Sequence, residues 1–218
     1  MSRRLPVLLA VLAAAGAGGL GHPVAAAAQA IDRGTLEAAV AALDGEAIEQ
    51  IGSDAMPVLV AMYREAGPAE RARIATVFYQ LGWQSEEAKE ALMEDIHTTD
   101  ETLRIQVQWA LGRVSNDDDV VDALLDNMRN GFNALVRDKA GCGLAYDQIH
   151  LNERQKAALY RRLIERLEDP SAEQRSLAIR VLQAHTGQTK GFHPVTRNAE
   201  AVARWQTWLA EYEAALEP

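Results

Sequence analysis

The sequence predicts an all-α protein, a short α-solenoid of stacked helical hairpins that ends in a C-terminal capping helix. Four times, a leucine inside an apolar run is followed twelve positions later by an arginine. Successive arginines are 33, 33 and 38 residues apart, which indicates an internal repeat. β-branched runs with a period of two are lacking, and this argues against strands. The repeated pairs are Leu59 and Arg71, Leu92 and Arg104, Leu125 and Arg137, and Leu163 and Arg175.

Each arginine is predicted to lie on an amphipathic helix. The residues three and seven positions after it are apolar in all four copies, and these offsets return to one helix face. These residues are Ile74 and Phe78, Val107 and Leu111, Ala140 and Leu144, and Ala178 and Leu182. A hairpin of this size cannot bury its own apolar face, so hairpins stack in a row. Four coincident offsets favour this array over an ordinary bundle whose helices match in length.

The repeated pattern Arg-x-x-Ala/Val-x-x-Ala/Val-Leu, preceded by an apolar leucine helix, resembles HEAT repeats. The resemblance covers about residues 35–187 and is greatest to the short bacterial kind described as HEAT-like or PBS-lyase-like. It implies an armadillo-like α-α superhelix. HEAT units often carry an aspartate six residues before the arginine, and the two form a ladder between neighbouring units. That position is acidic in only two of four units here, so the ladder is expected to be incomplete.

Residues 1–30 are predicted to be an export signal peptide. Arg3 and Arg4 precede an apolar stretch over residues 5–20, and Ala28-Gln29-Ala30 supplies small residues before a cleavage site after Ala30. An alternative site follows residues 25–27. The Ser-Arg-Arg start leaves both the general secretory and the twin-arginine export routes open. We therefore expect a periplasmic or secreted protein with no membrane span after cleavage.

The rest of the chain is predicted to divide into a repeat domain, residues 31–197, and a capping helix, residues 198–218. Val202, Trp205 and Leu209 form the apolar stripe of that last helix. Tryptophans at helical spacing are usually core residues, so we expect the helix to cover the final open face of the core.

Composition narrows the classes of partner. The net charge is −9, and removing the first 30 residues removes arginines but no acid. Such a chain is poorly suited to neutralise nucleic-acid phosphates, and anionic membrane surfaces repel it. The single cysteine, Cys142, allows no intramolecular disulfide. It is expected to be a buried and inert small side chain.

No catalytic signature is present, and we predict no catalytic residues, no metal site and no cofactor. The sequence lacks a phosphate-binding glycine loop, a zinc-binding helix motif and a nucleophile elbow. The acidic segment Ser115–Asp119 could hold calcium, but it lacks the ligand spacing of a calcium loop. Acidic residues at the start of a helix stabilise the helix dipole, and this is the favoured interpretation.

The step to the fourth unit is five residues longer than the others, and the extra residues fall near Tyr146, Asp147 and His150. Insertions in solenoids lie along one edge, which is often the binding edge. These three residues are therefore the predicted partner-binding site, with a surface loop of no role as the alternative. Gly141 and Gly143 in the preceding helix are expected to allow close helix approach.

Two functions remain open from the sequence. The leading hypothesis is an exported, non-enzymatic protein-binding or scaffold module that holds another envelope protein or peptide. It would use the leucine-helix face or the edge near Tyr146. The alternative is an enzyme or an accessory lyase-like protein acting on a bound ligand. That alternative rests on the family resemblance, and it requires the acidic segment, His150 and Cys142 to converge.

Overall fold

The computed structural model describes residues 31–146 and 149–217, and within these ranges the chain forms eleven helices and no strand. The predicted all-α solenoid is confirmed. Residues 1–30, Asp147, Gln148 and Pro218 lie outside the described residues. The helices are α1 (Arg33–Ala42), α2 (Gly45–Ile51), α3 (Ala55–Glu65), α4 (Pro68–Leu81), α5 (Glu86–Glu94), α6 (Glu101–Val114), α7 (Asp118–Asn130), α8 (Ala134–Ala145), α9 (Glu153–Arg166), α10 (Ala172–Thr186) and α11 (Ala199–Ala214).

Helices α3 to α10 form four hairpins that stack in two layers. The second helix of each hairpin packs on the next, α4 on α6, α6 on α8 and α8 on α10. In the other layer α3 packs on α5, and α11 packs on α9. Helices α1 and α2 pack on α4 at the opposite end. The hairpins therefore share one continuous interior, as the repeat requires.

The four repeat leucines lie in that interior. Leu59, Leu92, Leu125 and Leu163 are each 0% exposed. The apolar positions three and seven residues after each arginine are buried as well, and the same cluster includes Trp205 of α11. Burial of an apolar stripe from both layers is the main stabilising contribution to such an array.

Each repeat arginine joins the two helices of its own hairpin. The guanidinium groups donate to main-chain carbonyls in the turn that precedes each arginine helix. The bonds are Arg71 Nε to Ala66 O at 3.0 Å, Arg104 Nη1 to Thr98 O at 3.4 Å, Arg137 Nη1 to Gly131 O at 2.8 Å, and Arg175 Nη1 to Asp169 O at 2.5 Å. In three units the residue six positions earlier therefore acts through its main-chain carbonyl, which every residue type has.

The same arginines also reach forward along the chain. Their acceptors are Asp95 Oδ2 at 3.0 Å for Arg71, the Asn127 side chain for Arg104, the Glu173 carboxylate at 2.9 and 3.1 Å for Arg137, and Pro194 O at 2.6 Å for Arg175. In the described residues, side-chain acceptors therefore serve three of the four repeat arginines, and Arg175 is held by main-chain carbonyls.

The two glycines of α8 are not required by close helix approach. A Cβ added to Gly141 would meet Met128 Sδ at 3.5 Å, and one added to Gly143 would meet the Gln108 carbonyl oxygen at 3.5 Å. Both are ordinary van der Waals distances, so alanine fits at either position. The helices approach to contact distance here, but that approach does not depend on glycine.

Candidate functional site

The extra residues of the third repeat step form the connection between α8 and α9. Helix α8 ends at Ala145 and α9 begins at Glu153, whereas three residues join α6 to α7. Ile149 and Leu151 are 4% and 6% exposed and tie the connection to the core. The connection ends at a capping box at the start of α9. The Asn152 side chain accepts from the main-chain N–H of Gln155, and the Gln155 side chain accepts from the main-chain N–H of Asn152.

The predicted partner-binding residues are only partly brought together. Tyr146 is 60% exposed at the start of the connection. His150 is exposed, and its carbonyl accepts a hydrogen bond from Asn116 Nδ2 at 2.9 Å. Asp147 lies outside the described residues. The position of Tyr146 does, however, identify the feature beside it, because its side chain borders a cleft.

The cleft has a volume of about 470 Å³ and opens among the ends of α6, α8, α9 and α10. Its described lining contains two cationic side chains, Arg113 and Lys156, and the imidazole of His185, and it contains no carboxylate. Its described lining residues are Arg113, Ala145, Tyr146, Lys156, Tyr160, Ala184 and His185. We call it the edge cleft below. In a chain with net charge −9, it is a locally cationic concavity.

Tyr160 and His185 make a fixed wall of the edge cleft. His185 Nε2 lies 2.5 Å from the Leu144 carbonyl oxygen, which can only accept, so Nε2 carries a proton. In the neutral imidazole, Nδ1 then accepts from the Tyr160 hydroxyl at 3.3 Å. Burial raises the pKa of Tyr160 to about 12, so its hydroxyl stays protonated at neutral pH.

Arg113 of α6 is held in place by Tyr79 of the neighbouring helix α4. Its Nε donates to the Tyr79 carbonyl at 3.2 Å, and its guanidinium carbon lies 5.7 Å from the centre of the Tyr79 ring. An added Cβ at Gly82 would lie 2.6 Å from Arg113 Nη2, so a side chain at Gly82 would displace the guanidinium. Gly82 also has a φ of 60°, which favours glycine independently.

Lys156 stands at the α9 side of the edge cleft and is oriented by Glu153. The Lys156 ammonium lies 2.9 Å from a Glu153 carboxylate oxygen, one turn earlier on α9. The other oxygen of Glu153 accepts from the Tyr212 hydroxyl of α11. Lys156, and then Tyr212, hold the pKa of Glu153 below its ordinary value. The carboxylate is thereby fixed between two donors and positions the lysine.

An aromatic cluster of α9, α10 and α11 supports the wall from below. The Tyr160 ring centre lies 5.6 Å from that of His185, 5.4 Å from Trp208 and 5.6 Å from Tyr212. Trp208 in turn meets Trp205, which is fully buried, edge to face at 5.3 Å. Such pairs favour definite ring orientations, so the capping helix rigidifies this side of the edge cleft.

Sequence reasoning missed Arg113, Lys156, Tyr160 and His185. The repeat register contained a usable signal, because the residues nine positions after Arg104, Arg137 and Arg175 are Arg113, Tyr146 and Ala184. All three line the edge cleft. Residues at one repeat position lie along one edge of a solenoid, so the repeat spacing alone groups Tyr146 with Arg113.

The residues required by the enzyme alternative occupy separate surroundings. Asn116 of the acidic segment Ser115–Asp119 contacts the His150 carbonyl, but two of the segment's carboxylates face Lys89 of α5, and that of Asp118 accepts from Gln155 of α9. Lys89 Nζ lies 2.7 Å from Asp117 and 3.5 Å from Asp119.

Cys142 borders a different pocket, of about 290 Å³, beside Arg180. Burial raises the pKa of its thiol. In residues 31–146 and 149–217, no three histidine, cysteine or acidic side chains group so as to hold a metal ion.

Comparison with known proteins supports a HEAT-repeat protein. Residues 56–145 match the family model described as HEAT repeats. The match spans α3 to α8, which are the first three hairpins. HEAT repeats generally mediate protein–protein interaction or scaffolding and are typically not enzymes. No curated protein and no solved structure matches the chain. Among the helices of the described residues, none has the length and apolar character needed to span a membrane.

Proposed function

We propose that this chain is an exported, non-enzymatic interaction module that holds another envelope protein or peptide. The HEAT-repeat match across three consecutive hairpins carries the proposal, since such repeats generally bind or scaffold other proteins. A row of hairpins offers a long rigid surface at low cost in conformational entropy on binding.

The edge that carries Tyr146 is the proposed contact surface. A tyrosine that is 60% exposed combines an apolar ring with a polar tip, a combination that is enriched at protein interfaces. It borders a concavity with several convergent polar groups, as recognition sites commonly do. The supporting wall is rigid, so little ordering accompanies contact.

Export is proposed from residues 1–30. The test is expression of the full chain, with its own N-terminus, in a bacterium that has two membranes. We expect the protein in the periplasmic fraction with Ile31 as its first residue, or with Ala28 if the alternative site is used. An Ala30→Arg variant should lose cleavage after residue 30. Retention of the uncleaved chain in the cytoplasm would contradict the proposed localisation.

Partner binding is tested by site-specific photo-crosslinking in intact cells. A photoreactive phenylalanine analogue replaces Tyr146 in one sample and Leu43 in the control; Leu43 is 40% exposed on the far side of the array. We expect a discrete crosslinked species from position 146 and none from position 43. Only monomer at both positions would count against the interaction module.

A further inference from the structure

We propose that the edge cleft binds one carboxylate of an extended segment of the partner protein. This inference rests on the proposed function and adds the chemistry of the partner at one surface. Arg113 and Lys156 would supply the charge, and the wall of Tyr160 and His185 would supply the shape.

Arg113 is suited to this role because its described neighbours fix the guanidinium without placing a carboxylate against it. Within the described part of the chain, its guanidinium meets the carbonyl and ring of Tyr79 and forms no ion pair with a carboxylate. A guanidinium held through Nε can still present terminal N–H groups to two oxygens, which matches the geometry of a carboxylate. By contrast, Arg137, in the same layer of helices (α4, α6, α8 and α10), is already paired with the carboxylate of Glu173.

Lys156 adds a second positive charge. Its partner Glu153 is 57% exposed along its side chain, so solvent screens this ion pair, and the ammonium keeps N–H donors beyond the one bonded to Glu153. The volume of about 470 Å³ falls within the range of about 300–1,000 Å³ that ligand pockets occupy. Tyr146 at the rim offers a ring against which the neighbouring residues of a bound segment can pack.

The charge distribution favours a protein carboxylate over a nucleic acid. A chain of net charge −9 repels a polyanion over the length of its surface, and that repulsion extends about 8–10 Å at physiological salt. A single carboxylate on a peptide experiences the local cations of the edge cleft without that penalty. The terminal carboxylate and the side chains of aspartate and glutamate share this chemistry, and the experiment separates them.

The test measures fluorescence anisotropy of labelled short peptides with the full chain. The probes are a peptide of glutamate, serine and leucine with a free terminal carboxylate, the same peptide amidated, and an amidated version with glutamine for every glutamate. We expect the first to bind and the third not to bind. Loss of affinity on amidation assigns the terminal carboxylate, and loss on the change to glutamine assigns the side chains; either supports the proposal.

The variants are Arg113→Gln and Lys156→Gln, and Arg154→Gln is the control. Arg154 is exposed on the same helix as Lys156 but borders a different groove. Arg154→Gln removes one positive charge, as the two cleft variants do, but leaves the edge cleft unchanged. Removing one charge-assisted contact should weaken the acidic peptide about tenfold, and the control should stay within about twofold. Lys156→Gln keeps the test decisive if thermal unfolding shows that Arg113→Gln does not fold.

Several outcomes would overturn the inference. These are affinities of both cleft variants equal to that of the unmodified chain, equal binding of the neutral peptide, no binding of any acidic peptide, or an oligonucleotide that competes through Arg113. The proposed function fails separately. If crosslinking at position 146 captures a partner and the Arg113→Gln and Lys156→Gln variants capture it equally well, the interaction module stands and the carboxylate assignment falls.

Discussion

Truncation of one repeat leucine tests the shared core directly. Leu125→Ala removes a side chain that is 0% exposed in α7, and Leu135→Ala makes the same change at a residue that is 43% exposed in the adjoining α8. Both positions are helical, so the gain in helix propensity from leucine to alanine is common to the two variants. The difference between them therefore reports burial.

The expected magnitude follows from what the truncation deletes. Three carbons leave a closed interior, and about 0.8 kcal/mol for each gives about 2.4 kcal/mol of lost transfer free energy. Leu125 is part of the continuous core cluster, where close packing limits collapse of the cavity and raises the loss to about 2–5 kcal/mol. Leu135→Ala should change the free energy of unfolding by about 0.5 kcal/mol or less.

Urea unfolding followed by far-ultraviolet circular dichroism measures both values. An unchanged slope of free energy against urea would show that the variants unfold in the same transition as the parent chain. A loss of about 3 kcal/mol corresponds to a decrease of roughly 6–12 °C in Tm for a chain of this size. Losses of similar size at the two positions would refute the assignment of the leucines to a common core.

Three further predictions concern stability. Gly143→Ala should raise the free energy of unfolding by about 0.5–1 kcal/mol, because the added methyl fits and alanine favours the helix; a loss above about 1 kcal/mol on urea unfolding would show a clash. Gln108→Met should stabilise by about 1–3 kcal/mol, since both amide atoms of this fully buried side chain lack a partner in the described structure; destabilisation in the same assay would indicate an unseen polar partner. Lys89 and then Ser115 hold the pKa of Asp117 below its ordinary value. The ionised carboxylate therefore contributes fully to the free energy of unfolding above about pH 4, and this contribution is lost as pH falls through the lower folded-state pKa. Asp117→Asn should therefore lose less stability than the parent between about pH 4 and pH 2, and parallel pH profiles would contradict the pairing.

The local repeat explains why so much of the fold was predictable. A helix has 3.6 residues per turn, and this fixes which residues share a face. The spacing of apolar residues therefore shows which face of each helix is buried. This geometry alone places Leu59 and Leu163 in the core, and both are 0% exposed. Arg71 and Arg104 find their partners 24 and 23 residues ahead, in the next hairpin, but Arg137 and Arg175 find theirs 36 and 19 residues ahead. The repeat spacing therefore does not identify these partners.

The candidate site shows the same division between local and tertiary information. Tyr146 was found because a length difference between repeats is visible in the sequence. Lys156 and Tyr160 were missed because their helix, α9, belongs to the other layer. Its rotation about its own axis depends on packing against α11.

The sequence by itself determined that this chain forms a row of helical hairpins and where one edge is interrupted, since both follow from spacing along the chain. Only the tertiary structure decided that Arg113, Lys156 and the wall of Tyr160 and His185 enclose one cationic cleft. They come from α6, α9 and α10, and their proximity follows from how the buried faces of three helices fit together. Side-chain packing sets that fit, and no periodicity in the sequence encodes it.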